Sequence, residues 1–575
     1  MSHPPDVVAV SSFTNFSWRH HLPLFLILCL AFLLRTWWIT HQCPIIENEG
    51  GEYAAIAEHL IDGKGYVGQG VTGKPQLIFP PAYPVSITLL NPFTHNTETA
   101  GRLVSFLMGL WLIVSLYQLG TYAFGRKVGL IAALVAALHP LLIRSSVQAQ
   151  SETMYFALLL AAVYQGLLAI ESQMVTKFIL TGGLFGLAYL TRQEAMLQVA
   201  LFCLFAGCLG LIQRRLRATL LRTVATVTVF LLVASPYVFF LYKSTGQIRL
   251  EMKSNVNWVT GKMILAGISE ENASEGVNDN MQEIGIGLGQ INKFITVDGA
   301  KRDGVVTYLV AAAKRQSPNI YNTLFKSNVF GGSLFWCLAF FGLFRRAWDR
   351  TRAIRECYLI LIMAGSCLAL LSLQFFQTRY VFVLLPFLLL WAAEGIDEWT
   401  TWVVATQNAL SSSLLGARAL RLAVGGVLIA GVCAFAFLSS WTYDDMGGTR
   451  ESAVNAKKAG LWLRDQQPRE KIVMDAGTAI PYYAHAECMY LPYSTSVTAI
   501  RYFQTRKFDY IILRGTFLQK RPYMQDWLEH GIPSPSAVLL YDVGNTIADK
   551  VQVYKWTNSP LGTAKATVTF LTDGH

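Results

Sequence analysis

Charge is scarce in this chain. Of its 575 residues 14% are Asp, Glu, Lys or Arg and 53% are hydrophobic, against about 25% charged in ordinary soluble domains. So little charge excludes a wholly soluble enzyme, and so much apolar material excludes a disordered chain. Metal and redox signatures are missing as well. The nine cysteines are scattered, mostly inside apolar runs, with no CxxC pair, and no HExxH occurs. Neither a disulfide framework nor a zinc site follows from such a pattern. Nucleotide motifs fail too. Residues 68–74 match most of a phosphate-binding P-loop, but Pro75 stands where Ser or Thr should hold Mg²⁺. Gly285, Gly287 and Gly289 complete no GxGxxG, and no repeat of 20–50 residues is visible.

What the chain does have is long apolar runs, and about 20 such residues cross a bilayer core. The first, 21–40, follows Arg19 and His20 and is not followed by a small-residue cleavage site. It reads as a retained anchor rather than a cleaved signal. Further runs lie at 101–123, 129–145, 152–170, 177–191, 195–212, 223–243, 329–344, 357–376, 380–396 and 420–440. About eleven spans are therefore expected.

The net charge of +11 lies mostly between these runs, which suits membrane topology better than nucleic-acid binding. Arg126 and Lys127 form one basic cluster, and Arg214, Arg215, Arg217 and Arg222 a second. Arg345, Arg346, Arg350, Arg352 and Arg355 form a third, and Arg418 and Arg421 a fourth. With eleven spans all four fall on the side of the N-terminus, which the positive-inside rule makes cytoplasmic. Segments 42–100, 244–328 and 441–575 then face outward.

The last of these differs in kind. A helix is expected at 451–465, with strands at 471–475, 508–513, 537–541 and 551–556. β-branched runs alternating with helical ones indicate a small α/β domain. The expected division is a membrane module over 1–440 and an extracytoplasmic domain over 441–575. Asp475 and Asp509 read as ordinary strand-end acids, and the domain as an acceptor-binding, partner-binding or capping unit. Asn272-Ala273-Ser274 is a glycosylation sequon.

The first outer loop crowds three carboxylates, Glu47, Glu49 and Glu52, just after a span, and a helical pattern follows from Tyr53 to Leu60. Carboxylates near low dielectric serve as general bases; a solvated acidic helix start is the plain alternative. Downstream come Gly63-Lys64-Gly65-Tyr66, Lys74-Pro75, Pro80-Pro81-Ala82-Tyr83-Pro84 and Ala100-Gly101-Arg102-Leu103. Then follow His139-Pro140, Ser151-Glu152-Thr153, the run 186–194 ending Thr191-Arg192-Gln193-Glu194, and Arg379-Tyr380 with Pro386.

This ordered series resembles the protein O-mannosyltransferase-like family of membrane glycosyltransferases, which includes the lipid A aminoarabinose transferases and has the C-type glycosyltransferase fold. Glu49 stands four residues before Tyr53, where the family usually has Asp. Gly50 stands where it often has a second acid, so Glu47 is a rival for the same role. The resemblance implies a polyprenyl-phosphate sugar as donor, an acceptor hydroxyl on a protein, lipid or glycan, and inversion at the anomeric carbon. Glu49 is the expected base, with Glu152 as a second acid. Arg379, Arg192, Arg102, Lys74 and Tyr380 are the expected donor-phosphate residues, since arginine forks and lysine charges suit phosphate oxygens. Tyr53 and Tyr83 are expected at the acceptor or loop.

No metal or other cofactor is expected, and His59, His95 and His139 read as loop or capping residues. Lys243, Arg249, Lys253, Trp258, Lys301 and Arg302 give the second outer loop a basic and aromatic character, fit to cover the acceptor, to lie on lipid or simply to be solvated. Two other classes stay open: a transporter or flippase for a lipid-linked glycan, and an inactive accessory membrane protein. The distinctive charges cluster at one face, which favours one-sided catalysis over transport.

Overall fold

The computed structural model describes residues 18–42, 45–46, 49–70, 73–284, 304–345, 347–373, 377–410, 416–441, 450–557 and 569–570. The first apolar run forms α1 (Trp18–Gln42), and the loop after it folds into α2 (Gly50–Ile61) and α3 (Ala82–Thr94). The bundle continues through α4 (Thr97–Phe124), α5 (Arg126–Leu138), α6 (Pro140–Ser145), α7 (Glu152–Ser172), α8 (Val175–Thr191), α9 (Ala195–Ile212) and α10 (Leu216–Thr245). The long connection after α10 contains α11 (Lys253–Leu265), α12 (Glu270–Glu275) and α13 (Val305–Tyr321). α14 (Gly332–Phe344), α15 (Arg350–Leu371), α16 (Leu385–Leu410) and α17 (Ala417–Trp441) complete the bundle, with a 3₁₀ segment, Thr378–Leu384, leading into α16.

Local chemistry explains several boundaries. α4 starts where Asn96 accepts a hydrogen bond from the Thr99 amide at 2.8 Å, the usual N-cap arrangement. It ends at Gly125, whose φ of 102° favours glycine. The run expected as one span over 129–145 is broken: His139 is extended and Pro140 opens α6 as its first residue, a position proline favours. The chain then turns through 146–151 before α7.

Among the described residues eight helices are long and apolar enough to cross a membrane, and α8 and α14 are shorter apolar helices. The bundle is thus polytopic as expected, without eleven full-length spans. Burial ranks the helices: 89% of the most apolar window in Thr378–Gln407 and 83% of that in α7 lie inside the protein, against 17% for α1 and for α17. α7 and α16 form the centre, while α1 and α17 face lipid. Helices α14 and α16 touch almost backbone to backbone. A Cβ on Gly342 would stand 2.1 Å from the Trp391 carbonyl, and one on Gly395 2.0 Å from that of Leu338. Small residues permit such approach between membrane helices.

The C-terminal part opens with α18 (Arg450–Arg464) and continues β1 (Ile472–Asp475), α19 (Ala479–Tyr483), β2 (Glu487–Tyr490), α20 (Ser496–Gln504) and β3 (Tyr510–Arg514). α21 (Met524–His530), β4 (Ala537–Val543), β5 (Val551–Trp556) and β6 (Thr569–Phe570) follow. The sheet order is β2-β1-β3-β5-β4-β6. β1 is parallel to β2 and β3, whereas β5 is antiparallel to β3 and β4. β3 is buried along its whole length, as strands covered on both faces are.

This sheet unit sits on the loop between α1 and α3. Ile45, Ile46, Ala54 and Ala149 join the apolar core of α18, α19 and the sheet. The Ile46 amide donates to the Tyr483 hydroxyl at 2.9 Å, and the Cys488 amide to the Gln69 carbonyl at 2.7 Å. The connection after α10 is tied to the same unit by Arg521–Glu275 at 2.6 Å and by an Arg506–Glu283 pair.

Candidate active site

Residues far apart in sequence converge where α2, α7, the α8–α9 turn and the 3₁₀ segment meet. Glu49 immediately precedes α2, and its carbonyl accepts the Tyr53 amide at 3.0 Å. The start of this helix is wedged in place. A Cβ on Gly50 would lie 2.7 Å from the Ala149 carbonyl, and one on Gly51 2.8 Å from that of Thr478. This is the physical reason that no second acid follows Glu49: there is no room for a side chain. Glu152, the first residue of α7, is 4% exposed. Arg192 ends α8 in an extended conformation, and Arg379 lies in the 3₁₀ segment.

Arg379 stands between the two acids. Its Nη2 is 3.1 Å from Glu49 Oε1, its Nη1 is 3.2 Å from Glu152 Oε1, and its Nε donates to Gln377 Oε1 at 2.6 Å. Arg192 Nη1 lies 3.0 Å from the same Glu152 oxygen, and its Nη2 lies 3.3 Å from Glu194 Oε1. Lys253, at the start of α11, lies 3.8 Å from Glu194. Arg192, Lys253 and Arg379 all lie about the Tyr380 ring, at 5.5, 5.6 and 5.5 Å from its centroid, within cation–π range. Three carboxylates and three cations thus balance one another around one aromatic ring.

The Tyr53 hydroxyl lies 3.4 Å from Glu49 Oε2 and 3.0 Å from Ser151 Oγ, which links the helix start to the turn before α7. About a quarter of the Glu49 side chain is accessible, against 6% for Glu152. Burial alone raises the Glu49 pKa, but Arg379, then Lys253 and Arg192, and the Tyr53 hydroxyl outweigh it and hold the carboxyl below its ordinary range. Burial opposes ionisation at Glu194 as well, yet Arg192 and Lys253 bring its pKa to about 2. Below the cluster a crevice of about 470 Å³ of empty space, partly open, runs between α7, α9 and α15. Its walls are largely apolar: Phe156, Leu370, Leu373 and Val383 contribute.

The remaining residues singled out from the sequence lie elsewhere. Arg102 pairs with Glu98 at 2.6 Å, on the flank where Lys457 reaches the same acid at 3.3 Å. Lys74 is exposed and immediately precedes Pro75, which bridges to Val67. Tyr83 is fully buried; its hydroxyl lies 2.7 Å from Ser105 Oγ and donates to the Gly101 carbonyl at 2.9 Å. Its ring packs edge-on against that of Tyr53. Glu47 lies outside the described residues, as do Lys301 and Arg302. Glu194 and Lys253 were not singled out as site residues. The available signal was the short Arg-Gln-Glu spacing for the first and the basic character of the second outer loop for the second.

Among the described residues no group of three His, Cys, Asp or Glu is placed to hold a metal ion. His59 Nδ1 lies 3.0 Å from the Val67 carbonyl, His95 follows α3 as its C-cap, and His139 is buried in the bundle.

Residues 79–240 match the family model of dolichyl-phosphate-mannose-protein mannosyltransferase. No curated protein matches the sequence. Solved structures share the fold. The archaeal oligosaccharyltransferase AglB from Archaeoglobus fulgidus, in complex with an inhibitory peptide and a dolichol-phosphate, is 13% identical with a TM-score of 0.56, covering 94% of this chain and 75% of its own. ArnT from Cupriavidus metallidurans, bound to undecaprenyl phosphate, is 11% identical with a TM-score of 0.53, covering 96% of this chain and 100% of its own. The oligosaccharyltransferase has also been solved with Zn and sulfate, at 15% identity and a TM-score of 0.56 over 93% of this chain and 73% of that one. The chain has the C-type glycosyltransferase fold expected from its sequence.

Proposed function

We propose that the protein is an integral-membrane glycosyltransferase that moves a sugar from a polyprenyl phosphate to an acceptor hydroxyl at the outer membrane face. The observation that carries this reading is Arg379 held between Glu49 and Glu152 above an apolar crevice. It is supported by the mannosyltransferase match over residues 79–240. It is also supported by the shared fold with proteins solved on dolichol-phosphate and undecaprenyl phosphate.

In this reading the donor phosphate binds Arg379, with Arg192 and Lys253 beside it, and takes the place of a carboxylate on the guanidinium. Glu49, the more open of the two acids, is then the base. It accepts the proton of the acceptor hydroxyl as that oxygen forms its bond to the anomeric carbon. The bond from that carbon to the phosphate oxygen breaks, and its electron pair leaves with the phosphate. One base and no enzyme nucleophile make this an inverting displacement. Glu152 holds Arg379 and Arg192 in register, and Tyr380 keeps the three cations together. Tyr53 and Tyr83 brace the start of α2 for the acceptor, while Arg102 and Lys74 flank the site. Cations of the protein, rather than a divalent metal, are the phosphate's partners here, because Arg379 stands between the two acids.

The acceptor is a protein, lipid or glycan. The catalytic module is residues 1–440 and the outer α/β unit residues 441–575. The N-terminus lies on the cytoplasmic side of an inner membrane and the sheet unit on the far side. The test is sugar release in detergent from a panel of polyprenyl-phosphate sugars with candidate acceptors. Glu49→Gln and Arg379→Ala are expected to abolish turnover, while Glu47→Gln and chelation by EDTA leave it. A wild-type protein that turns over no donor overturns the proposal.

A further inference from the structure

We infer that Gln198 and Ser366 recognise a hydroxyl of the donor sugar inside the crevice, with the Gln198 amide oxygen as the acceptor. This rests on the glycosyltransferase reading above. Both residues line the crevice whose upper walls are Glu152, Arg192 and Arg379. Gln198 is 0% exposed and Ser366 4%.

Their hydrogen bonds run in one direction. The Ser366 hydroxyl donates to the Ile362 carbonyl at 3.2 Å. Its oxygen therefore accepts the Gln198 Nε2 proton, at 2.9 Å. That orientation leaves Gln198 Oε1 buried with no hydrogen-bond partner among the described residues. A buried carbonyl without a donor is costly and rare, the more so among apolar walls. A residue needed for packing alone is better served there by leucine or methionine. Gly365 lets α9 and α15 pack closely beside this amide: a Cβ there would stand 3.4 Å from Gln198 Oε1 and 2.1 Å from a Leu201 methyl.

The missing donor has a definite chemistry. A polyprenyl tail is hydrocarbon and carries no O–H or N–H, so it cannot satisfy the amide. The sugar of the same donor can. Gln198 is the fourth residue of α9 and Ser366 the sixth from the end of α15, so both lie about 5–8 Å below the outer helix ends at 1.5 Å per residue. A phosphate held on Arg379 and Arg192 leaves its attached sugar within reach of that depth. Tyr155 also lines the crevice.

The test compares kcat/KM for polyprenyl-phosphate sugars and their monodeoxy analogues in wild type, Gln198→Met and Ser366→Ala. Thermal unfolding in detergent checks that each variant folds. In wild type, removal of one particular hydroxyl is expected to lower kcat/KM about 10–100-fold. Gln198→Met loses a similar factor on the parent sugar and no longer distinguishes the deoxy analogue. Ser366→Ala, which frees the amide to turn, reduces the same discrimination without abolishing turnover. If Gln198→Met keeps the wild-type preference across the analogues, or is slowed equally on all of them, this inference is wrong and the glycosyltransferase reading stands. If wild type turns over no sugar in the panel, both are wrong.

Discussion

Glu49 and Glu52 stand three residues apart at the start of α2, yet the protein treats them in opposite ways. Glu49 faces the bundle, where Arg379, Lys253 and Arg192 outweigh burial and hold it ionised. Glu52 faces the turn after α2. There it accepts the Gln69 amide at 3.1 Å and Gln76 Nε2 at 2.6 Å, and burial wins, raising its pKa. Asp475, at the end of β1, behaves like Glu52: burial outweighs the pull of Arg514 and Arg521 and pushes it up to about 6. One acid is stored as a ready charge among cations. The others are held as fixtures where the outer loop meets the sheet. Burial raises the pKa in all three, so the cations beside Glu49 are what separate an ionised carboxylate from the two whose pKa is raised.

The comparison is tested hardest at Glu49. Glu49→Gln should lower kcat by about 10²–10⁴-fold, the usual worth of a positioned base, in the sugar-release assay. An equal loss in Glu52→Gln would erase the distinction. Arg379→Gln should cost about 10²–10³-fold and leave a second mark. Without that guanidinium burial dominates at Glu49, its pKa rises, and the acidic limb of the kcat/KM profile moves to higher pH. An unmoved limb would mean that another group sets it.

Asp475 gives a pH-dependent test. Its folded pKa lies above the ordinary 3.8, so its contribution is most favourable below that value and is lost as pH rises to about 6. Asp475→Asn should therefore raise stability by about 3 kcal/mol above pH 6, with the gain vanishing in acid, read by thermal unfolding across pH. A gain independent of pH would contradict the assignment. The smallest effect belongs to Glu52→Gln. It forfeits one accepted hydrogen bond, about 1 kcal/mol, and should leave kcat within about threefold of wild type, since sites without shared partners act independently.

Much of this architecture is legible in the sequence. The helix expected at 451–465 is α18 (Arg450–Arg464), and the four expected strands begin within two residues of β1, β3, β4 and β5. Two features escape a local reading. β2 is only Glu-Cys-Met-Tyr, too short and too mixed to show strand periodicity; its pairing with β1 defines it. The span expected over 129–145 is divided at Pro140, because an apolar run records hydropathy and not helix continuity. In the site, Glu152, Arg192 and Arg379 stand out in the sequence as charges at the ends of apolar runs, where charge is costly and tends to be functional, and Glu49 stands out by its place four residues before Tyr53. Arg102, at the start of the run 101–123, carries the same local signal and Lys74 stands in a Gly-rich loop, but the structure pairs Arg102 with Glu98 and exposes Lys74.

The sequence by itself determined that this is a polytopic membrane protein with a C-terminal α/β unit, and which rare charges lie between its apolar runs. Hydropathy and its period are properties of contiguous residues, so they survive without coordinates. Only the tertiary structure decided which acid meets which cation, that Lys253 and Glu194 belong to the cluster, and that an amide waits in the crevice below it. Glu49, Glu152, Arg192 and Arg379 lie in four separate stretches of chain. Electrostatic energy falls with distance in space and is indifferent to separation along the sequence, so those pairings exist only once the helices have packed.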